Sequence, residues 1–270
     1  MDDKSETRLT AGNLWAGRRS RALTLLRESG LTGLVRKGRQ IGLKQSIEFT
    51  RHHIGLMIAF WMIGRFDRKF GVDTGGFIEV RNLTVRGPYK ELANHAVSTS
   101  PRMFRFLTQF FPKARSDFTY IDLGSGKGRT LLLASTCGFR RVIGVEFAEE
   151  LCAVARDNVT KFGRKRQIGR ISVINEDATS YRLPDDNLVL YFGNPFTKEL
   201  WPAMIDNVTR SYSENRRSIC LLLVGSVSAD VNDAAETISG SGCFRLRACG
   251  VSPFFVDTYA PFHYRVFEAC

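Results

Sequence analysis

The stretch FTYIDLGSGKGRTLLLAS, Phe118–Ser135, decides the fold. Its first half is an apolar run that ends at Asp122, and a second apolar run begins after Arg129. These runs predict a buried strand and a helix. The glycines between them allow positive φ angles and let a ligand approach the backbone without a Cβ in the way. The stretch therefore predicts a strand–loop–helix unit in which the loop Gly124–Gly128 binds a ligand.

From about residue 100 onward, apolar runs alternate with amphipathic segments. Strands that alternate with helices, each strand being largely apolar, predict an α/β fold with a doubly wound, mostly parallel sheet. The last 30 residues alternate like a strand pair, which predicts antiparallel strands at one edge. The predicted strands are 118–124, 141–147, 170–177, 187–194, 218–226, 243–251 and 262–269, and the predicted helices are 102–111, 129–138, 149–163 and 198–212.

Three acidic residues, Asp122, Glu146 and Asp177, lie at the carboxyl ends of successive predicted strands. Open α/β sheets bind ligands at this edge. Asp122 can bind an ammonium group, Glu146 can accept hydrogen bonds from ribose hydroxyls, and Asp177 can accept one from the adenine amine. One ligand that carries all three groups is S-adenosylmethionine (SAM). The alternative is that the three carboxylates only cap helices.

Two other nucleotide sites fit this loop less well. The dinucleotide fingerprint is G-x-G-x-x-G, whereas this loop reads D-x-G-x-G-x-G and has Arg129 at the position of the third glycine. A P-loop has a longer spacing, and Gly128 here follows the lysine. A nicotinamide dehydrogenase and a P-loop enzyme are therefore disfavoured. No Ser-His-Asp set or metal-binding spacing is found, and the four histidines do not cluster in the sequence.

The segments YIDLGSGKGR, VIGVEF and INEDA resemble the first three motifs of class I SAM-dependent methyltransferases. The resemblance covers roughly residues 100–270 and implies a Rossmann-like sheet of seven strands with the last strand antiparallel. It also implies transfer of a methyl group from SAM. The residues that it assigns to the cofactor are Asp122, Gly124, Ser125, Gly126 and Gly128 around the methionine part, Glu146 at the ribose, Asp177 at the adenine, and Phe147 and Ala178 lining the adenine pocket.

The segment LYFGNPF ends the fourth predicted strand with Asn194, Pro195 and Phe196. It resembles the Asn-Pro-Pro-aromatic motif of methyltransferases that act on planar nitrogens. There, an amide and a backbone carbonyl orient the amine while the aromatic ring stacks on it, so catalysis is mostly positioning. The resemblance implies catalytic roles for these three residues and a nitrogen acceptor on a protein or another substrate. This chain has one proline where the motif has two, and a turn that ends the strand is the alternative.

The N-terminal part of the chain is basic. Residues 1–70 contain 14 Lys or Arg and 6 Asp or Glu, which gives +8 of the total net charge of +12. We predict a basic helical extension over residues 1–75 and a catalytic domain over residues 76–270. The charge predicts an acidic partner, such as nucleic acid, a membrane surface or a protein, and a solvated basic arm is the alternative. A docking module that retains the cofactor-binding fold is therefore the second functional hypothesis.

The longest apolar run, Ile54–Gly64, has 11 residues, whereas a transmembrane helix needs roughly 20. A buried helix and a helix lying in a membrane interface both fit this run. The six cysteines form no C-x-x-C pair, and the chain starts with an acidic, polar segment that no apolar core follows. These features predict a cytoplasmic protein with reduced thiols, with a peripheral membrane location as the alternative.

Overall fold

The structure is a computed structural model, and it describes residues 64–78, 83–84, 96–193, 196–226, 228–253 and 262–270. All of these residues belong to one compact unit, Ala59–Cys270. Residues 1–63 lie outside the described residues. The predicted helices of the basic extension and most of the apolar run Ile54–Gly64 therefore stay predictions.

The strands of the structure fall into two sheets. Strands β1 and β2 form a small antiparallel pair, and strands β3 to β9 form the central sheet. Their bounds are β1 Phe77–Ile78, β2 Ala96–Val97, β3 Phe118–Leu123, β4 Arg141–Glu146, β5 Ile171–Asn175, β6 Asn187–Gly193, β7 Ile219–Gly225, β8 Phe244–Val251 and β9 His263–Ala269.

The central sheet has the order β5-β4-β3-β6-β7-β9-β8. Strands β3 to β7 pair in parallel, and β9 runs antiparallel between β7 and β8. This arrangement confirms the predicted Rossmann-like sheet of seven strands, including its antiparallel last strand. All seven predicted strands are present, and their ends agree with the predictions to within two residues.

Helices cover the sheet. Helix α5 was not predicted, because its sequence SADVNDAAETISG has few large apolar residues; it buries only Val231, Ala234 and Ile238. Among the described residues, no helix has the length and hydropathy needed to cross a lipid bilayer. The helices are α1 Pro101–Leu107, α2 Arg129–Ala134, α3 Glu149–Gly163, α4 Trp201–Glu214 and α5 Ser228–Gly240; residues 64–70 are also helical, and 3-10 turns occur at Thr108–Phe110, Arg115–Asp117 and Lys198–Leu200.

Alternate residues of β3 pack into two apolar layers, one on each face of the sheet. Ile121 and Leu123 pack in the layer that contains buried residues of α4 and α5. Tyr120 packs in the opposite layer, with residues of α1 and α2. All three side chains are fully buried, and burial of such a side chain contributes about 1.5–3 kcal/mol. The central strand that leads into the glycine loop is therefore held from both faces.

Residues 64–72 pack against α3. The rings of Phe66 and Phe70 lie 6.1 and 4.6 Å from the ring of Phe162, measured between centroids. The chain then turns at Gly71, which has a φ of 70°, and Val72 joins the same apolar cluster. This segment, which the sequence analysis assigned to the extension, thus contacts a helix of the catalytic domain. The boundary between residues 75 and 76 stays a prediction.

A methyl group at position 144 has no room. A Cβ on Gly144 would overlap Leu131 Cδ1 and would lie 2.7 Å from Ser125 Oγ, so the glycine lets the loop pack on β4. We expect Gly144→Ala to lower the free energy of unfolding by about 1–3 kcal/mol, because the core would be overpacked. Urea unfolding measures this loss.

Gly240→Ala is the matched control for this substitution. Gly240 is the last residue of α5, and a Cβ there would meet no atom within 4 Å. We expect this variant to be neutral or more stable by up to about 1 kcal/mol. Equal stability of the two variants would contradict the packing account.

Candidate functional site

The carboxyl ends of β3, β4, β5 and β6 lie side by side in the sheet. The chain runs from β3 to β4 on one side, whereas β6 lies on the other side, so the strand order reverses at β3. Such a reversal leaves a crevice at the carboxyl edge, where α/β sheets bind ligands. The register pairs Asp122 with Gly144 and Tyr191, and Glu146 with Asn175. The fold therefore places the predicted acidic residues at one edge.

The glycine loop needs its glycines. The φ angles of Gly124, Gly126 and Gly128 are 91°, 53° and 82°, a left-handed region that other L-residues adopt at a cost. The backbone N–H groups of Gly124 and Ser125 donate to the carbonyl of Val145 at 2.9 and 3.1 Å. The loop thus folds back over the end of β4, and its backbone is brought next to the acidic residue that ends that strand.

Glu146 is 4% exposed and binds the loop directly. Its Oε2 accepts the N–H of Gly126 at 2.8 Å, and its Oε1 accepts the N–H of Ala148 at 3.0 Å. Burial raises the pKa of Glu146, while these backbone N–H groups lower it. A carboxylate can accept about four hydrogen bonds. The backbone N–H of Phe147 is a third donor to this carboxylate, so about one acceptor position is left for a ligand hydroxyl.

Asp122 is 3% exposed, and its Oδ2 accepts a short hydrogen bond from the hydroxyl of Thr130. Burial raises the pKa of Asp122 to about 7; the Thr130 hydrogen bond lowers it, and the charge of Glu146 raises it further. Neither carboxylate forms an ion pair within the part of the chain that the structure describes. The two acids therefore lack a positively charged partner, and the ammonium and sulfonium groups of SAM carry such a charge.

Asp177 follows β5 and begins a turn. Its Oδ1 accepts hydrogen bonds from the backbone N–H and the hydroxyl of Thr179, at 2.9 and 2.8 Å. Ala178 is buried and belongs to the core layer of α4 and α5, and Phe147 is half-buried. These local contacts of Asp177 are those of a turn, and no helix of the described residues begins there. Its role at the adenine, like those of Phe147 and Ala178, stays a prediction.

Asn175, which the sequence analysis did not single out, connects two strand ends. Its Nδ2 donates to the carbonyls of Glu146 and Phe147 at 3.0 and 3.1 Å. Its Oδ1 is buried and has no hydrogen-bond partner among the described residues, and the same is true of Ser125 Oγ. Buried polar atoms of this kind need a partner. An amide oxygen and a hydroxyl that are both unsatisfied near the buried acids fit a site that is completed by a polar ligand.

The predicted acceptor residues follow β6. Asn194 and Pro195 lie outside the described residues. Phe196 is 9% exposed, and its ring centroid lies 6.5 Å from that of Phe192 and 5.5 Å from that of Trp201. These ring contacts place Phe196 in the core layer of α4 and α5, and stacking on an acceptor stays a prediction for this residue.

Residues 121–215 match the family model described as "Methyltransferase domain". This match confirms the resemblance to class I SAM-dependent methyltransferases. A search of curated proteins gave no significant match.

Similar solved structures include the following three proteins. Precorrin-6y C5,15-methyltransferase from Geobacter metallireducens is 15% identical, with a TM-score of 0.47 over 70% of this chain and 93% of that chain. Magnesium protoporphyrin IX methyltransferase from Synechocystis PCC 6803, solved with bound SAM, is 14% identical, with a TM-score of 0.46 over 62% and 76%. TrmN from Thermus thermophilus is 16% identical, with a TM-score of 0.47 over 64% and 49%.

The buried Asp122 makes stability depend on pH. In the folded protein its pKa is about 7, compared with 3.8 ordinarily, so the folded state binds the extra proton between these values. The contribution of this proton to the free energy of unfolding is complete below about pH 4 and is lost as the pH rises through about 7. Over that range the free energy of unfolding falls by at most about 1.4 kcal/mol per pH unit. We expect the free energy of unfolding of wild type to fall relative to that of Asp122→Asn over this range, as measured by urea unfolding at each pH. Parallel pH profiles would contradict a raised pKa.

Proposed function

We propose that the chain, whose residues 121–215 match the methyltransferase-domain model, transfers the methyl group of SAM to a nitrogen acceptor on a protein or another substrate. The observation that carries the proposal is the pair of buried carboxylates, Asp122 and Glu146, on adjacent strands beside the glycine loop. Neither has a cation partner among the described residues, so the site favours a cationic nucleotide over an anionic one.

Each residue at the strand ends binds a different part of the cofactor. SAM supplies an electrophilic methyl group on a sulfonium. Asp122 binds the ammonium group of the methionine part, and the glycines let this part approach the loop backbone. Glu146 accepts a ribose hydroxyl at the acceptor position that the three backbone N–H groups leave unused. Asp177 accepts from the adenine amine with Oδ2, since its turn uses Oδ1.

The acceptor lies at the end of β6, beside β3 in the sheet. Asn194 directly follows the last residue of β6. Three residues earlier, Tyr191 shares a hydrogen bond with Thr99 at 2.6 Å, which connects β6 to the segment before α1. In the proposed mechanism, Asn194 orients the acceptor amine toward the methyl group, and Phe196 shapes the wall behind it. The amine nitrogen would form the new bond to the methyl carbon as the carbon–sulfur bond breaks to leave S-adenosylhomocysteine, and the methylated nitrogen would release its proton to solvent, so catalysis would be mostly positioning.

The charge of residues 1–70 supports a docking role for the extension. Its net charge of +8 favours an acidic macromolecule or an anionic membrane surface. In this second proposal the extension brings the enzyme to its acceptor, whereas the alternative of a docking module without turnover is disfavoured by the intact loop and carboxylates. The cytoplasmic location, with or without membrane contact, belongs to the same proposal.

Loss of the Glu146 carboxylate is the direct test of cofactor binding. We expect Glu146→Ala to weaken S-adenosylhomocysteine binding by about 10- to 100-fold, because hydrogen bonds to a charged group are lost. Isothermal titration calorimetry measures the affinity. Glu149→Ala removes an exposed carboxylate three residues away and should bind like wild type. Wild-type affinity in Glu146→Ala would overturn the assignment.

The acceptor site is tested separately from the cofactor site. We expect Asn194→Ala to lower the rate of methyl transfer by about 100-fold while leaving S-adenosylhomocysteine affinity unchanged, because only acceptor orientation is lost. Transfer of a labelled methyl group to fractionated cell extract measures the rate. Asn187→Ala, at the opposite end of the same strand, is the control and should retain turnover. Equal rates of methyl transfer for the two variants would contradict the assignment of Asn194 to the acceptor site.

A further inference from the structure

Residues 67–75, here called the clasp segment, form a tight turn around the carboxylate of Asp67. Oδ2 of Asp67 accepts the backbone N–H groups of Thr74 and Gly75 at 3.0 and 2.9 Å. Oδ1 accepts the hydroxyl of Thr74 at 2.6 Å. Thr74 is fully buried. The turn is therefore closed by one side chain, and the residue before its last one is buried in the domain.

Arg129 connects this turn to the glycine loop. It directly follows Gly128 and is only 1% exposed. Its Nε donates to the hydroxyl of Thr74 at 2.7 Å, and its Nη2 lies 3.5 Å from Oδ1 of Asp67. Burial lowers the pKa of Arg129 to about 10, whereas the charge of Asp67 raises it. Asp67 is the counter-charge that makes a buried guanidinium tolerable at this position.

A second set of contacts lies on the other side of Gly128. Lys127 Nζ lies 2.8 and 2.9 Å from the two carboxylate oxygens of Asp73 and donates to the carbonyl of Gly75 at 3.1 Å. Asn158 of α3 is fully buried. Its Nδ2 donates to the carbonyls of Asp73 and Lys127 at 2.7 and 3.0 Å, and its Oδ1 accepts the N–H of Asp73 at 2.8 Å. One side chain thus binds both the clasp segment and the loop.

We infer that the clasp segment positions the cofactor loop, with Asp67 acting through Arg129 and Asp73 acting through Lys127. This inference rests on the proposed function. The alternating glycines have no side chains with which to hold the loop, and glycine loses the most conformational freedom when it becomes ordered. The two basic residues between and after the glycines supply the missing side chains, and the clasp segment binds both. A loop that is ordered in advance lowers the cost of binding a ligand.

The test is a pair of matched double-mutant cycles in the full chain. The first cycle combines Asp67→Asn with Arg129→Gln. The control cycle combines Asp186→Asn with Arg141→Gln and is matched in its carboxylate, because the side chain of Asp186 is 18% exposed compared with 16% for Asp67; Arg141 is more exposed than Arg129, at 38% compared with 1%, and lies 2.6 Å from Asp186. Asp186 also accepts a hydrogen bond from Thr119 at 2.6 Å, at the amino-terminal end of β3 and away from the loop. Each variant is measured for S-adenosylhomocysteine affinity and for unfolding temperature.

We expect Asp67→Asn and Arg129→Gln each to weaken S-adenosylhomocysteine binding by about 10-fold, and the double variant to weaken it by less than the product of the two, because the residues act as one unit. Both control variants should lose stability but keep wild-type affinity. A merely structural role would lower the unfolding temperature without changing the affinity measured below it. Additive effects on affinity, or equal affinities in both cycles, would overturn the inference.

If Asp67→Asn does not fold, the inference can still be tested with two variants at exposed carboxylates. The side chain of Asp73 is 66% exposed and pairs with Lys127, whereas that of Asp157 is 55% exposed and pairs with Lys161 on the surface of α3. We expect Asp73→Asn to weaken binding by about 3-fold and Asp157→Asn to leave it unchanged. Equal binding by these two folded variants would overturn the inference. Failure of the wild type to bind S-adenosylhomocysteine would instead overturn the proposed function.

Discussion

The hydrogen bond from the Gly126 N–H to the carboxylate of Glu146 is the constraint on which the site depends. It joins the end of β4 to a loop that follows β3, so two strands and the loop between them take one relative position. The contact is buried, and a charge-assisted hydrogen bond is stronger there than in water. It also requires the loop to approach β4 closely. Gly144 makes this approach possible, because any side chain at that position would occupy the space of Ser125 and Leu131.

Most of the fold could be predicted from the sequence because its signals are local. Apolar runs in β3 to β7 are long enough to indicate buried strands, and helix α3 has apolar positions three and four residues apart over its whole length. Helix α5 was missed because alanine and serine give little periodic contrast. Helix α2 is shorter than its apolar run predicted: it ends at Ala134, and a turn follows through Cys137.

The contacts around the site were less predictable, since they join residues far apart in the chain. Arg129 was interpreted only as a residue that replaces the third glycine of another motif, yet its structural partner is Asp67, 62 residues earlier. Asn158 lies on an amphipathic helix where polar residues are ordinary, and its contact with Asp73 spans 85 residues. No spacing or periodicity in the sequence marks such pairs. Asn175 follows the same pattern, although a carboxamide at a strand tip is a signal that could have directed attention to it.

The clasp segment also shapes the electrostatics of the loop. Lys127 and Arg129 are close in sequence to Gly126, which binds Glu146, and left unpaired they would neutralise the buried acids and favour an anion. Their charges are instead paired with those of Asp73 and Asp67. Asp122 and Glu146 therefore remain without a cation among the described residues, although two basic residues belong to or adjoin the loop. Burial makes an unpaired carboxylate costly, so a cationic ligand binds favourably by supplying the counter-charge that these two acids do not receive from the described residues. The same contacts that order the loop therefore also favour a positively charged cofactor.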